Sequence, residues 1–263
     1  MGKYKEVTKE LLELVSLKKS AREIANILGI NYTSVHKKLR KLGINLYNYH
    51  NELKFDSTVF DTIDTEEKAY WLGFLFADGH VSSTVNTVEL SLKGEDKEHL
   101  EKYNTFLRNK ASIKTSKVRC KNKEYTRCRC GVTNKHFHDT LVSLGCVPRK
   151  SLILKFPDVS IFKNTSLIRH FIRGYFDGDG CICATKSGRL MLSVMGTKEF
   201  LEELNLFLPI HNFVYTKDKR CPNTNTYTIT FSCSKADCVA KYLYEDSTIY
   251  LNRKYDRFCR LVQ

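Results

Sequence analysis

No stretch of this chain comes near the ~20 consecutive apolar residues that a membrane-spanning helix requires. The opening residues, Met1–Glu10, lack the apolar core of a signal peptide, and Glu6 and Glu10 argue against a transit peptide. The chain therefore reads as cytoplasmic. Its ten cysteines include no C-x-x-C pair, a spacing common in structural zinc sites. Cys128 with Cys130, and Cys181 with Cys183, stand two residues apart, which sets each pair on one face of a strand. The cysteines read as buried, reduced thiols, with a structural zinc site as the alternative. Acidic residues are also in deficit: 29 Asp and Glu stand against 43 Lys and Arg, leaving a net charge of +14. Such a surplus favours an acidic polymer as partner, nucleic acid before an anionic membrane surface. The basic residues are spread along the chain rather than gathered in one amphipathic helix. At 263 residues there is room for one large or two medium domains.

The first segment, residues 1–43, has the pattern of a small helical module. Leu11, Leu12, Leu14 and Val15 form an apolar stripe over Thr8–Leu17. Ser20 with Glu23 three residues on is a capping-box signature and predicts a second helix, Ala21–Leu28, ending at Gly29. A third runs from Tyr32 to Leu42, with Val35, Leu39 and Leu42 facing inward. Helix, short turn, then a helix bearing His36, Lys37, Lys38, Arg40 and Lys41 is the helix-turn-helix pattern. The phrase AREIANILGINYTSVHKKLRKLGI resembles the helix-turn-helix units of bacterial DNA-binding proteins. Asn31, Tyr32, Thr33 and Ser34 at the helix start are best placed to meet bases, with His36, Lys37 and Arg40 beside them. Residues 44–65 have no sustained helical period and are rich in Asn, Asp and Thr; they read as a linker.

Two segments, 66–160 and 161–263, look like copies of one α+β design. Each opens on an apolar helical phrase ending in acid and glycine, YWLGFLFADG over Tyr70–Gly79 and FIRGYFDGDG over Phe171–Gly180. A strand, a helix, two strands and a helix follow in each. The acids Asp78 and Asp179 lie 101 residues apart. The same shift maps Thr133 onto Ser234 as two N-caps, and Thr126, Cys128, Cys130 and Val132 onto Tyr227, Ile229, Phe231 and Cys233. Strand alternation then gives each copy one apolar face. The opposite face holds Tyr125, Arg127 and Arg129 in one copy and Thr226, Thr228, Thr230 and Ser232 in the other, a surface suited to a nucleic-acid groove.

Gly73 and Ala77 stand four apart, as do Gly174 and Gly178. Small residues at that spacing make a flat strip on which two helices can approach backbone to backbone. Glycine inside a helix costs roughly 1 kcal/mol relative to alanine, so the strip needs a packing reason, and the two motif helices packing on each other supply one. Asp78 and Asp179 then fall at helix C-termini, where the macrodipole disfavours an anion, and close packing brings them toward each other. A hard divalent cation held by carboxylate and phosphate oxygens relieves both problems, which points to a metal-dependent phosphodiesterase.

These residues carry a family resemblance. WLGFLFADG and IRGYFDGDG are similar to the paired motif of the LAGLIDADG homing endonucleases in their single-chain, two-repeat form, over residues 66–263. The helix-turn-helix and linker look like phage- and intron-associated members, encoded by a phage or bacterium rather than an organelle. The resemblance implies pseudo-symmetric tandem repeats with two antiparallel DNA-binding sheets. It also implies that Asp78 and Asp179 bind Mg²⁺ (or Mn²⁺) and activate water to cut both DNA strands across the minor groove, leaving short 3′ overhangs. The family places a lysine near the scissile phosphates later in each half; here Lys150 and Lys254 each follow an arginine, Arg149 and Arg253. Such a lysine would stabilise charge on the phosphate or orient the attacking water. Tyr125, Arg127, Arg129, Arg189, Thr228 and Thr230 would read bases and phosphates.

The expected partner is double-stranded DNA with a long, asymmetric target, bound by a monomer. Phe76 departs from the motif where the second copy keeps Asp177, which predicts unequal packing of the two motif ends. The chain opens on Met1 and closes on Val262 and Gln263, so it reads as freestanding rather than as an intein. The competing expectation is a non-cleaving DNA-binding regulator or an RNA-splicing maturase.

Overall fold

In the computed structural model, which describes residues 2–17, 19–44, 55–120, 123–218 and 224–262, three helices make up the first unit: α1 (Gly2–Ser16), α2 (Ala21–Leu28) and α3 (Tyr32–Lys41). The capping box forms: Ser20 Oγ accepts from Glu23 N at 3.2 Å, and Glu23 Oε2 accepts from Ser20 N at 2.7 Å. These bonds satisfy two donors that a helix start leaves without partners. Gly29 closes α2 at φ +60°, a left-handed conformation that costs glycine little. Leu11, Val15, Ala21, Ile24, Ala25, Val35 and Leu39 meet in the core. Two expectations change here. α1 begins well before Thr8, and Leu42 is 42% exposed, because α3 stops at Lys41 and leaves Leu42 as its cap.

The chain divides into Met1–Asp56 and Ser57–Gln263, so the expected linker over 44–65 is too long at its far end. Residues 45–54 lie outside the described residues. Val59, Phe60 and Ile63 are buried in the second unit, Phe60 against Phe106 and Phe137. Ile63 also bridges to Phe162 in parallel. The polar composition around these apolar residues masked their packing.

Two sheets and seven helices carry the second unit among its described residues. α4 (Glu66–Asp78) leads into β1 (Gly79–Val81), β2 (Thr87–Lys93), α5 (Lys97–Phe106), β3 (Lys114–Cys120), β4 (Lys123–Thr133) and α6 (Lys135–Ser143). α7 (Ile168–Asp179) leads into β5 (Gly180–Ala184), β6 (Leu190–Gly196), α8 (Lys198–Leu206), β7 (Tyr215–Lys217), β8 (Tyr227–Ser232), α9 (Ser234–Tyr244) and α10 (Asn252–Leu261). Both sheets are antiparallel and four-stranded, in the orders β1-β2-β4-β3 and β5-β6-β8-β7. One face of each is buried, with Val88, Leu90, Cys128 and Cys130 in the first and Leu192, Val194, Ile229 and Phe231 in the second. The mixed α+β class and the paired four-stranded sheets agree with the sequence reading.

The constant shift of 101 does not survive along the repeats. Leu90 pairs with Cys130 and Val194 with Ile229, so β4 and β8 are offset by 99. The N-caps are accordingly Asn134 and Cys233, not Thr133 and Ser234. An error of two residues preserves strand alternation, which is why the inward and outward faces were still assigned correctly. The cysteine pairs take opposite fates. Cys128 and Cys130 are buried, whereas Cys181 is exposed and Cys183 half-exposed on the open side of β5. Cys259 is exposed too, so the reading of buried thiols holds for only part of the set.

Candidate functional site

α4 and α7 bury Ala69–Phe76 and Phe171–Asp177, the first as a helix apolar on nearly every side does and the second with Arg173 and Asp177 among its buried residues. They cross backbone on backbone. A Cβ built on Gly73 would lie 2.0 Å from Phe171 O, and one on Gly174 would lie 1.9 Å from Tyr70 O. No side chain can enter either place. The contact is reciprocal, since Tyr70 precedes Gly73 by the same three residues as Phe171 precedes Gly174. Further along, a Cβ on Gly178 would lie 2.3 Å from Ala77 Cβ and 3.3 Å from Asp78 Oδ2. All four small residues of the motif strip therefore lie in the crossing.

The crossing delivers Asp78 and Asp179 side by side as the last residues of α4 and α7. Each residue is open to solvent on its outer side, while the helix ends crowd its carboxylate. Burial first, and then the neighbouring charge of Asp179, pushes Asp78 up to about 6, against the pull of Lys254, Lys150 and Arg253. Burial also raises Asp179, against Lys150, Lys254 and a hydrogen bond with Tyr175. Both acids thus feel both lysines, and one constellation holds all four residues. Two acids that resist ionising together, open to solvent on one side, fit a hard divalent cation that takes one or two carboxylates and completes its shell with water and phosphate. Among the described residues no cluster of three or more His, Cys, Asp or Glu could hold a metal by itself.

The lysines are placed differently from the expectation. Lys254, on α10, is 2% exposed. Its ammonium donates to Phe176 O at 2.6 Å, Asp177 O at 2.8 Å and Gly180 O at 2.5 Å. All three protons are committed to carbonyls at the end of α7, where a cation is favoured by the helix dipole. Burial lowers Lys254 to about 8, despite the opposing attraction of Asp177, Asp78 and Asp179. Lys150 donates to Gly79 O, the counterpart of Gly180, and remains partly exposed. Lys254 therefore acts first as a helix cap, while Lys150 keeps access to solvent.

Three further groups shape this site: Asp177 and Arg253, to which the sequence reading gave no partners, and Arg173, which it did not single out. Asp177 is buried and accepts from Tyr70 Oη at 2.8 Å, Tyr244 Oη at 2.6 Å and Leu251 N at 2.7 Å. The last bond pins the start of α10, and so Lys254, to α7. Arg173 is fully buried. It donates to Glu66 Oε1 at 2.6 Å, Ile249 O at 2.9 Å and Leu243 O at 3.1 Å, joining α7 to the opening turn of α4. Arg253 Nε donates to both carboxylate oxygens of Asp96, at 2.9 and 3.1 Å. An acid and an arginine inside otherwise apolar helices were the available signals.

In the first unit Thr33, Ser34, His36, Lys37 and Arg40 are exposed along α3. Asn31 is the N-cap of α3, its Oδ1 accepting from Thr33 N at 2.8 Å, and Tyr32 packs its ring against His36 at 4.5 Å. The carbonyl oxygen of Asn31 is thus already committed to the helix. In the second unit Tyr125, Arg127 and Arg129 lie on the open face of the first sheet, and Thr228 and Thr230 on that of the second. Arg189 sits exposed at the β5–β6 hairpin.

No curated protein matches the chain. Among solved structures it is similar to the I-LtrWI LAGLIDADG homing endonuclease bound to target DNA. Identity there is 13%, covering 75% of this chain and 90% of that one, at a TM-score of 0.47. For the meganuclease I-SmaMI bound to uncleavable DNA the values are 15%, 73%, 88% and 0.46. For full-length DUF199/WhiA from Thermatoga maritima they are 18%, 75%, 59% and 0.44. At the level of sequence families, residues 166–259 match the LAGLIDADG-like domain. That segment holds α7, the second sheet, Asp179 and Lys254.

Proposed function

We propose that the chain is a site-specific endonuclease that hydrolyses both strands of duplex DNA with the help of a divalent metal, Mg²⁺ or Mn²⁺. The observation that carries this reading is the pair Asp78 and Asp179, brought together by a helix crossing that admits no side chain and resisting joint ionisation. When bound, the cation would supply Lewis acidity and lower the pKa of water at the scissile phosphates. Asp78 and Asp179 are the residues that would hold it. Lys254 fixes the end of α7, so that Asp179 keeps its position, and Lys150, partly exposed, is the lysine free to meet phosphate. The open sheet faces grip the duplex on either side, and α3 extends the footprint through Thr33, Ser34, His36, Lys37 and Arg40. A monomer suffices, because both halves of the site lie in one chain.

The test is incubation of the purified chain with DNA spanning the site at which its gene is inserted, with the element removed. Double-strand cuts with Mg²⁺ and none with EDTA are expected. Asp78→Asn and Asp179→Asn should each lose double-strand cleavage by at least about 10³-fold while DNA binding stays nearly unchanged. Tight binding without cleavage in Mg²⁺ or Mn²⁺ would instead identify a regulator or a splicing maturase, and a variant cutting at the wild-type rate would remove the two-carboxylate assignment.

A further inference from the structure

The two open sheet faces occupy equivalent places but carry different chemistry. Strand pairing aligns them row by row. Ser91, Arg129 and Lys114 form one row of the first sheet; its counterpart in the second is Met195, Thr228 and Thr216. The row His80, Glu89 and Gly131 corresponds to Cys181, Ser193 and Thr230. The first sheet adds Lys93 beside Arg127, and Glu89 offsets only Arg129, at 3.7 Å. Cys183, Met191 and Ser232 extend the second face. Among the described residues of these rows, the first face is rich in Lys and Arg. The second holds thiols, thioethers and hydroxyls with no formal charge.

We propose, building on the reading of the chain as a DNA endonuclease, that the two faces recognise chemically different half-sites. The first sheet takes a guanine-containing arm, and the second takes a thymine-rich arm through its methyl groups. A guanidinium or ammonium in the major groove matches the O6 and N7 acceptors of guanine, and Arg127, Arg129, Lys93 and Lys114 supply those donors. The rows of Met191, Met195 and threonine methyls have no group for that pattern, and the one guanidinium near them, Arg189, lies beyond the rows at the hairpin. They offer apolar contact to the C5 methyl of thymine, with Ser193, Thr228 and Thr230 as hydroxyl partners for either base edge. The asymmetry of the target then follows from the strand faces themselves.

The test is selection of duplexes from a randomised pool by the full chain in EDTA, so that cleavage plays no part. In the enriched duplex, thymine is then replaced by uracil one arm at a time. One arm should lose about fourfold in affinity for each contacted methyl, from the ~0.8 kcal/mol of a buried carbon, while the other arm changes little. The variant Arg127→Ser/Arg129→Ser should relax guanine preference in the uracil-insensitive arm and leave the thymine preference intact. Equal uracil sensitivity in both arms would overturn the assignment, as would a variant that alters both arms together, without touching the endonuclease reading. A pool in which no duplex is enriched would overturn both.

Discussion

The two motif ends occupy matching positions and are held by opposite means. In the first half Phe76 fills the interior, its ring 5.1 Å from that of Phe171 and its edge close to Gly145. In the second half Asp177 occupies the same place and is held by two tyrosine hydroxyls and one backbone amide, as the unequal pair of residues predicts. The lysines follow suit, Lys254 buried on three carbonyls and Lys150 half-open on one. Apolar packing tolerates exchange of similar shapes. A buried carboxylate and a buried ammonium do not, because removing one partner strands the other. The second half is therefore the rigid one, and the first has more freedom to adjust around the same exposed acid.

Arg173→Leu should give the largest effect, a loss of about 3–5 kcal/mol by denaturant unfolding, since it strips a fully buried cation from its partners and has no counterpart in the first half. Gly174→Ala and Gly73→Ala should each cost about 3 kcal/mol or more, and by equal amounts, because both new methyls strike backbone; a twofold difference between them would break the symmetry of the crossing. Lys254→Met should cost about 2 kcal/mol and Lys150→Met under about 1 kcal/mol, the span between charged hydrogen bonds in and out of water. Cleavage should rank them in the reverse order relative to stability, Lys150→Met losing activity in a protein that remains folded.

The smallest effect concerns pH. A carboxyl raised to about 6 binds its proton more tightly in the folded chain. The contribution of this carboxyl to stability should therefore fall as pH rises from about 4 through 6 and stay lower above that, opposite in sign to that of His99 and His170, which burial keeps neutral. Asp78→Asn should reduce this slope, leaving the share of Asp179, which burial also raises, and raise the melting temperature at pH 7 by about 2–4 °C, with screening at an exposed group limiting the gain to about 1 kcal/mol. Without metal, the difference between the wild-type and Asp78→Asn melting curves from pH 4 to 7 checks the sign.

Much of this was legible in the chain. The glycine and alanine spacing gave away the crossing, because helices can approach that closely only where Cβ atoms are missing. β1 and β5 were not enumerated, since strands of 3 and 5 residues starting on the motif glycine are too short to show a period. α10 was missed for a different reason. NRKYDRFCRL is half charged, and its apolar stripe of Tyr255, Phe258 and Leu261 is short enough to be overlooked until Lys254 is seen to enter the core. The burial of Lys254 is hidden for the same reason: a lysine reads as a surface group until its carbonyl partners are seen. The partners of Asp177 and Arg173 come from segments 66 to 251, and such long-range pairing leaves no local trace.

The glycine crossing has a further consequence for how such a protein could be rebuilt. Because Gly73 meets Phe171 O and Gly174 meets Tyr70 O directly, the spacing of the two helices that carry the carboxylates is set by van der Waals contact of backbone on backbone rather than by the fit of large side chains. Core substitutions elsewhere can drift without moving the acids apart. A hybrid joining this first half to the second half of another such protein would inherit the same spacing if it kept the glycines. The crossing is a fixed gauge, and the sheets on either side are the parts that can be exchanged.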